Sequence, residues 1–451
     1  MNIVIAGLGK FGKELTENLA KEGHNIIVID TKSNEISNAV NRYDVMGVCG
    51  NSASYNILKD ASVQKADLFI ATTSTDELNI LSCLVAKKLG VKQTIARVRN
   101  PEYSSQVQLM SNELGINITL NPDLDTAREI FRIMRFPSAL QVETFANGKV
   151  DLVEIKLDSN SLLNDKTLIE ISNKFAVKIL VCAVRRGTEV FIPKGDFILK
   201  EGDYVYLTAS PKEMANAFKK LKIFKEKIKS TMILGGSGIA HYLSKMLVES
   251  GISVKLVDKD LEVCKTFSDT IPEALVVNVD GTNHQALVEE GLESVDSLIT
   301  LTGMDETNII ISSFAQSINC KKVITKVNNT NYDLILHNIG LESVVSPKNI
   351  FASNIIKYVR GMENDRGSEF KTLYRIVGNK VMALEFSIPK QTKYTSIPLK
   401  DLKIKNNHLL ACIIRNNKVI IPSGKDTIEP FDSVVIVTTN TKIKDVSDIL
   451  E

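Results

Sequence analysis

The chain repeats itself, and that constrains its fold more than any other feature. Ile3-Val4-Ile5-Ala6-Gly7-Leu8-Gly9 is similar to Met232-Ile233-Leu234-Gly235-Gly236-Ser237-Gly238, with Gly7 and Gly236 229 residues apart. The same offset pairs Leu58 with Leu287, Asp67 with Asp296, Ile70 with Ile299 and Thr73 with Thr302. It also pairs Asp76-Glu77 with Asp305-Glu306, Asn79 with Asn308 and Tyr103 with Tyr332. Identities held in one register over that length describe a duplicated unit.

Each half has two parts. The first alternates apolar strands with helices: residues 2–6, a glycine turn, a helical pattern through Leu19, then Ile26–Ile29. Asp67–Thr72 and Thr94–Val98 read as further strands, with a helix from Asp76 to Leu89 between them. The second half repeats them at Val254–Val257, Ser297–Leu301 and Val323–Val327. Continuous apolar strands separated by helices indicate a parallel sheet covered on both faces. The second part is rich in short β runs at 150–157, 179–184, 189–192 and 204–208, and residues 372–438 match it. The expected fold is α/β: two Rossmann-like, doubly wound parallel-sheet lobes, each followed by a small α+β lobe. The expected boundaries are 1–136, 137–222, 223–362 (linker plus second parallel-sheet lobe) and 363–451.

Asn121-Pro122 and Ser346-Pro347 open helices predicted to run to about Arg135 and Arg360, because proline suits the first helical position after a capping residue. Ala127, Ile130, Phe131 and Met134 recur at helical spacing. That stripe reads either as core-facing or as the face of a crossover helix docked on a neighbouring unit. Residues 219–229 form a lysine-rich linker, read as solvated or as facing an anionic surface.

Gly7-Leu8-Gly9-Lys10-Phe11-Gly12 is a G-x-G-x-x-G pattern between a strand and a helix, and Asp30 ends the next strand. Gly7 allows a tight turn, Gly9 lets backbone approach a pyrophosphate, and Gly12 allows close helix–strand packing. The helix amino end offers free N–H groups to phosphate. Asp30 accepts from ribose hydroxyls, which favours adenosine and NAD(H) over a 2′-phosphate. Read with Gly236 in the place of Gly7, the second copy is Gly236-Ser237-Gly238-Ile239-Ala240-His241, with His241 at the third glycine position and Asp258 at the strand end. Arg97 follows its strand at the edge where ligands of open α/β sheets lie, and Lys326 is its counterpart. Thr72-Thr73-Ser74 lies just past another strand's carboxyl end.

Composition removes several classes of function. Lys+Arg is 55 and Asp+Glu 53, a formal charge of +2, far from the basic excess of a general nucleic-acid binder. No run approaches the ~18 apolar residues of a membrane helix. Met1-Asn2-Ile3-Val4-Ile5 has no basic start and no small-residue cleavage site. Six cysteines (Cys49, Cys83, Cys182, Cys264, Cys320, Cys412) lie far apart without C-x-x-C spacing, so neither zinc nor a disulfide framework is expected. A reduced cytosolic protein is the expectation.

With these marks the chain resembles the TrkA family, cytosolic regulatory subunits of the Trk potassium-uptake system with paired RCK (KTN) domains. The resemblance covers essentially the whole chain. It rests on Gly7–Gly12, Asp30, the segment 66–79, the segment Ile95 to Tyr103, and Ile192-Pro193-Lys194-Gly195-Asp196 with Gly202-Asp203. It implies lobes that bind NAD(H), with ATP or ADP as further ligands, in a ring beneath a membrane-embedded, TrkH/TrkG-like potassium transporter subunit. Ligand state would then gate uptake. A homotetramer would supply eight lobes to that ring, on the inner face of the plasma membrane. The resemblance implies Gly7 to Phe11, Asp30, Thr73, Ser74 and Arg97 for a first site. For a second it implies Gly236 to Ala240, Asp258, Thr302, Gly303 and Lys326. The family often has Gly-Asp-Ala-Thr after the third strand. Here Gly50-Asn51-Ser52-Ala53 and Val279-Asp280-Gly281-Thr282 stand there, and the neutral Asn51 bears on nucleotide preference.

Two other readings remain open. A nicotinamide-dependent dehydrogenase would share the fingerprint, but His24, His241, His284, His337 and His408 show no pairing with a motif carboxylate. A regulator of a different RCK-bearing channel or exchanger would share the whole pattern.

Overall fold

The computed structural model describes all residues except 101–102, 104–105, 108, 137, 146–148, 224–226, 330–331, 365–369, 377–380, 389–390, 417, 441–442 and 444. Part of the basic linker (Phe224, Lys225, Glu226) and the Pro101-Glu102 pair of the segment ending at Tyr103 lie outside the described residues.

The first sheet contains β1 (Asn2–Ala6), β2 (Asn25–Asp30), β3 (Met46–Cys49), β4 (Leu68–Ala71), β5 (Gln93–Arg97) and β6 (Ile118–Leu120). Their spatial order is 3-2-1-4-5-6, all parallel. That order reverses between β1 and β4, where open α/β sheets place their ligand crevice. Ile3, Val4 and Ile5 are β-branched and buried on both faces, so the run is continuous rather than alternating. Helices α1 (Lys10–Lys21), α2 (Ser33–Arg42), α3 (Tyr55–Asp60), α4 (Asp76–Lys88) and α5 (Pro122–Arg135) complete the lobe. Helix α4 starts where the Thr75 hydroxyl accepts from the Leu78 N–H at 3.3 Å, with Asp76 and Glu77 in its first turn and Lys87 and Lys88 in its last.

The small lobe that follows is antiparallel: β7 (Gln141–Phe145), β8 (Val150–Lys156), β9 (Leu180–Arg186), β10 (Glu189–Phe191) and β11 (Tyr204–Ala209), in the order 10-9-11-8-7. Helices α6 (Leu168–Phe175) and α7 (Pro211–Lys220) cover one face. Arg186 grips the fully buried Asp203 bidentately at 2.7 and 2.8 Å.

The second half repeats both parts. Strands β12 (Ser230–Leu234), β13 (Ser253–Asp258), β14 (Leu275–Asn278), β15 (Ser297–Thr300), β16 (Lys322–Lys326) and β17 (Val344–Val345) take the order 14-13-12-15-16-17. Helices α8 (Gly238–Glu249), α9 (Leu261–Thr270), α10 (His284–Glu289), α11 (Asp305–Ser317) and α12 (Pro347–Asn364) accompany them. Strands β18 (Phe370–Ile376), β19 (Val381–Ser387), β20 (His408–Arg415), β21 (Lys418–Ile420) and β22 (Ser433–Thr438) make the second small lobe, in the order 18-19-22-20-21. Arg415 and Asp432 repeat the bidentate pair at 2.9 and 2.8 Å.

The halves are not the compact units. Residues Met1–Phe131 and Lys229–Ile356 form one unit, so the two parallel-sheet lobes belong together. Arg132–Ile228 and Lys357–Glu451 form the other. In the first unit each crossover helix docks on the opposite lobe. At the start of α5, Asn121 Oδ1 caps Asp123 and Leu124, and Asn121 Nδ2 donates to the Tyr242 hydroxyl of α8 at 2.9 Å. Helix α12 meets α1 through Lys348 and Glu14 at 3.3 Å and through Phe351, edge-on to Phe11 at 5.1 Å. Of the α5 stripe, Ala127, Ile130 and Met134 are buried core, and the contact with the opposite lobe is made at the helix start, outside the stripe. Inside the other unit the two small sheets share one apolar face, with Val150, Leu152 and Tyr206 against Val381, Ala383 and Val437.

That second unit buries an acid. Burial pushes the Asp151 carboxyl up to about 6, against the opposing pull of Arg135 and Arg132. The folded protein therefore holds a proton that an unfolded chain releases near pH 4. Stability from this group is greatest below pH 4 and falls as pH rises toward 6. Asp151→Asn is expected to gain about 2 kcal/mol over wild type at pH 7.5 relative to any difference at pH 4. Urea melts at the two pH values check this, and an equal difference at both would refute it.

Candidate functional site

At the carboxyl end of the first sheet lies a crevice of about 450 Å³, lined by Gly7, Leu8, Gly9, Lys10, Phe11, Asp30, Asn51, Thr72, Thr73, Ser74 and Arg97 among others. Its floor is the turn after β1. Gly7 has φ +94°, and a β-carbon there would meet the Thr72 carbonyl at 2.7 Å, so only glycine fits. Gly12 does not line the crevice. It lies beneath the turn, where a β-carbon would overlap the Gly7 carbonyl oxygen. Gly9 is open, with nothing within 4 Å of the place a β-carbon would take.

Asp30 holds the turn together. Its carboxylate accepts from the Leu8 N–H at 2.6 Å and the Lys32 N–H at 2.9 Å. Thr72 Oγ1 donates toward the carbonyls of Ala6 (3.1 Å) and Gly7 (3.0 Å), tying β4 to the same turn. Asn79, fully buried on α4, links three parts of the wall: its Oδ1 accepts from Thr73 N and Oγ1, both at 2.7 Å, and its Nδ2 donates to the Arg97 carbonyl at 2.9 Å.

Arg97 is 5% exposed. Its guanidinium donates to the Thr73 carbonyl and stacks over the Phe11 ring at 5.3 Å. Its Nε–H is buried with no hydrogen-bond partner. Burial lowers its pKa to about 10, which leaves it a cation at neutral pH. A buried cation lining a crevice is costly unless it is paired, and an anion in the crevice is the kind of partner that would pair it. Lys10, Lys32 and Arg99 add positive charge to the same lining.

The motif reading passed over Thr31, Lys32, Glu35, Leu78 and Arg99, which also line the crevice. Arg99 was legible one step beyond Arg97. The Asp76 carboxylate accepts from the Arg99 and Asn100 N–H groups, each at 2.8 Å, so the start of α4 holds that loop. Asn79 had a signal as well, since it matches Asn308 in the repeat.

The structure shifts the register of the second glycine turn by one residue. In the structure Leu8 N–H bonds Asp30 and Gly236 N–H bonds Asp258, both at 2.6 Å, so Leu8 and Gly236 are equivalent. Gly235, not Gly236, is the counterpart of Gly7, with φ +99° against the Leu301–Thr302 backbone. The copies are offset by 228 residues through β13 and by 229 from β14 onward. The cause is one extra residue between α9 and β14 compared with α2 and β3. The third glycine position is therefore held by Ala240, fully buried, and His241 stands outside the fingerprint. The second glycine position is Ser237, whose Oγ accepts from the Ala240 N–H at 3.3 Å.

This crevice, about 350 Å³, is lined by Gly235, Gly236, Ser237, Asp258, Asp280, Thr302 and Gly303, with Lys259, Met304 and Thr307 among those not foreseen. Gly238, Ile239, Ala240 and Lys326 do not line it. Lys326 is buried and donates to the Leu301 carbonyl at 3.1 Å instead. Asp280 accepts from Thr282 N (3.0 Å) and Oγ1 (2.9 Å), bonds that hold its carboxyl below the ordinary range.

The TrkA-N domain model matches residues 3–122 and again 231–347. The chain belongs to the TrkA family. The TrkA-C domain model matches residues 152–222. A Trk system potassium uptake protein TrkA homolog of Archaeoglobus fulgidus is 30% identical over 451 residues, all of both chains. The Trk system potassium uptake protein TrkA of Halomonas elongata is 28% identical over 457 residues, 100% of this chain and 99% of that protein. Among solved structures, the GsuK channel bound to NAD superposes with a TM-score of 0.65 at 18% identity, covering 97% of this chain and 77% of that one. The GsuK RCK domain does so with 0.63 at 17%, covering 97% and 92%. At these identities the structural likeness bears on fold, and it is the fold expected of TrkA proteins: tandem Rossmann-like lobes with small C-terminal lobes. Among the described residues no helix is long and apolar enough to cross a membrane, and no cluster of His, Cys, Asp and Glu is suited to a metal.

Proposed function

We propose that this TrkA-family chain is a peripheral regulatory subunit of a potassium transporter. It binds NAD(H), ATP or ADP in the first crevice and gates uptake through a TrkH/TrkG-like membrane partner on the inner face of the plasma membrane. The observation that carries the reading is the Arg97 cation lining the crevice beside an open glycine turn and the Asp30 carboxylate. Gly7, Leu8, Gly9, Lys10 and Phe11 would face phosphate, with Arg97 and Arg99 neutralising it. Asp30 keeps lone pairs for ribose hydroxyls, and Asn51, Thr72, Thr73 and Ser74 would flank the ligand. In the second crevice Gly236, Ser237, Asp258, Asp280, Thr302 and Gly303 are the counterparts that line the wall.

The names of the relatives, Trk system potassium uptake proteins, support the partner, and a GsuK channel bound to NAD supports the ligand class. Among the described residues the crevice lining holds no histidine, cysteine or tyrosine, which favours a signal site over proton or hydride chemistry. A ligand shifts a conformational equilibrium only by its differential affinity for the two states. Crossover helices docked on the opposite lobe give binding in one lobe a direct route to the other. A ring of eight Rossmann lobes from four chains is the assembly this reading expects.

Titration of the full chain with NADH and with ATP tests it, followed by potassium flux in vesicles containing the membrane partner. Binding that alters flux is expected. Sustained NADH oxidation across a panel of carbonyl substrates would favour the dehydrogenase instead, and absence of any adenine-nucleotide binding would remove the proposal.

A further inference from the structure

We propose that Asp123 of the first half is seated as a built-in anion over the amino end of α8, closing the phosphate half of the second crevice. Each chain then binds one nucleotide rather than two. The inference rests on the reading of the first crevice as a nucleotide site.

Four observations converge on it. A β-carbon at Gly238, the first residue of α8, would lie 2.6 Å from Asp123 Oδ2 and 3.3 Å from its Cγ, so the carboxylate covers that position. The equivalent residue of the first lobe, Lys10, is open to its crevice. A helix amino end carries partial positive charge and is where the phosphate of a bound nucleotide would lie. Ser237 takes up another part of the cradle by capping Ala240, where Gly9 has no side chain to cap α1. Lys326, counterpart of the crevice-lining Arg97, has turned to the Leu301 carbonyl and away from the second crevice.

The charge environment agrees. Asp123 faces Arg99, Arg97 and Lys326, with Asp76 as the opposing acid, and burial raises its carboxyl above the ordinary range. The corresponding position on the other crossover helix, one residue after its proline, is Lys348, which pairs with Glu14 of α1. One crossover helix therefore brings an anion to the opposite lobe and the other brings a cation. The lobe that receives the anion is the one whose cradle is covered.

The test counts NADH and ATP bound per chain by calorimetry on the full-length protein. Wild type is expected to bind about one. Gly9→Asp places a carboxylate in the first cradle at a position with open space around it, and should lower affinity at least 100-fold with no remaining site. In that background Asp123→Ala is expected to restore weak, saturable binding, with Asp123→Asn, which keeps side-chain volume, as the second variant. Retention of one tight nucleotide by Gly9→Asp, or two per wild-type chain, overturns the inference alone. So does failure of both Asp123 variants to restore binding. No binding to wild type overturns the nucleotide reading of the first crevice, and this inference with it.

Discussion

Gly12→Val is expected to abolish nucleotide binding and to destabilise the first Rossmann lobe by about 3 kcal/mol or more. Gly12 sits in the first turn of α1, and any β-carbon there would overlap the Gly7 carbonyl oxygen. The neighbour in the way is backbone, not the end of a flexible side chain. Relief therefore requires moving α1 off the turn that Asp30 and Thr72 hold in place. Overpacking of a tight core contact costs roughly 1–3 kcal/mol, more where backbone must shift. Once the helix moves, its amino end no longer faces the crevice. The second lobe supplies the internal control: Ala240 occupies the equivalent position and is fully buried, so that lobe already accommodates a methyl group. Ala240→Gly should cost only about 1 kcal/mol, the ordinary penalty of glycine in a helix. Thermal melts and NADH titrations of both variants check the contrast. Equal effects at the two positions would show that the Gly12–Gly7 approach is not what matters.

Arg97→Met is expected to weaken ATP and NADH binding by roughly 30-fold or more, about 2 kcal/mol, while leaving adenosine binding within about twofold. The reasoning is electrostatic. The guanidinium is held over Phe11 and against the Thr73 carbonyl, with its Nε–H unsatisfied and buried. A ligand phosphate in the crevice would pair with the guanidinium that lines it, and a charge-assisted hydrogen bond is worth about 1.5–3 kcal/mol. In the free protein the same unsatisfied donor is a cost. Methionine retains the contact with Phe11, so stability of the free protein should change by no more than about 1 kcal/mol, in either direction. Calorimetry with ATP, NADH and adenosine, alongside melts, separates the two roles. Equal loss for adenosine and ATP would place Arg97 in the framework of the lobe instead of against phosphate.

The duplication, the strand–helix alternation and the first glycine turn were legible because each is local. Apolar runs make buried parallel strands, and Gly7, Gly9 and Gly12 answer to contacts within one strand–turn–helix unit. Asp30 was legible because its partner amides, at Leu8 and Lys32, lie where the two adjacent parallel strands end. The register of the second fingerprint was not. The matches at Leu58, Asp67, Thr73 and Asp76 all lie downstream of the three-residue connection between α2 and β3. They imposed their 229 offset on the glycines upstream, where the true offset is 228 and Gly235 rather than Gly236 makes the turn. Asn79 illustrates a milder loss: its match to Asn308 was visible, but nothing local says that its amide bridges Thr73 and the Arg97 backbone.

What the sequence determined unaided is therefore what short-range forces control: two copies of a parallel-sheet lobe, a crevice at the switch between β1 and β4, and an acid beside a bare glycine turn. Tertiary structure decided which lobes keep company and which charge each crossover helix brings to the opposite lobe. The parallel-sheet lobes join each other, and α5 carries Asp123 from the first half onto α8 of the second. The physical reason is that a helix end acts on whatever charge is brought to it. Which charge arrives depends on a docking partner more than 100 residues away, and no pattern within α8 encodes it.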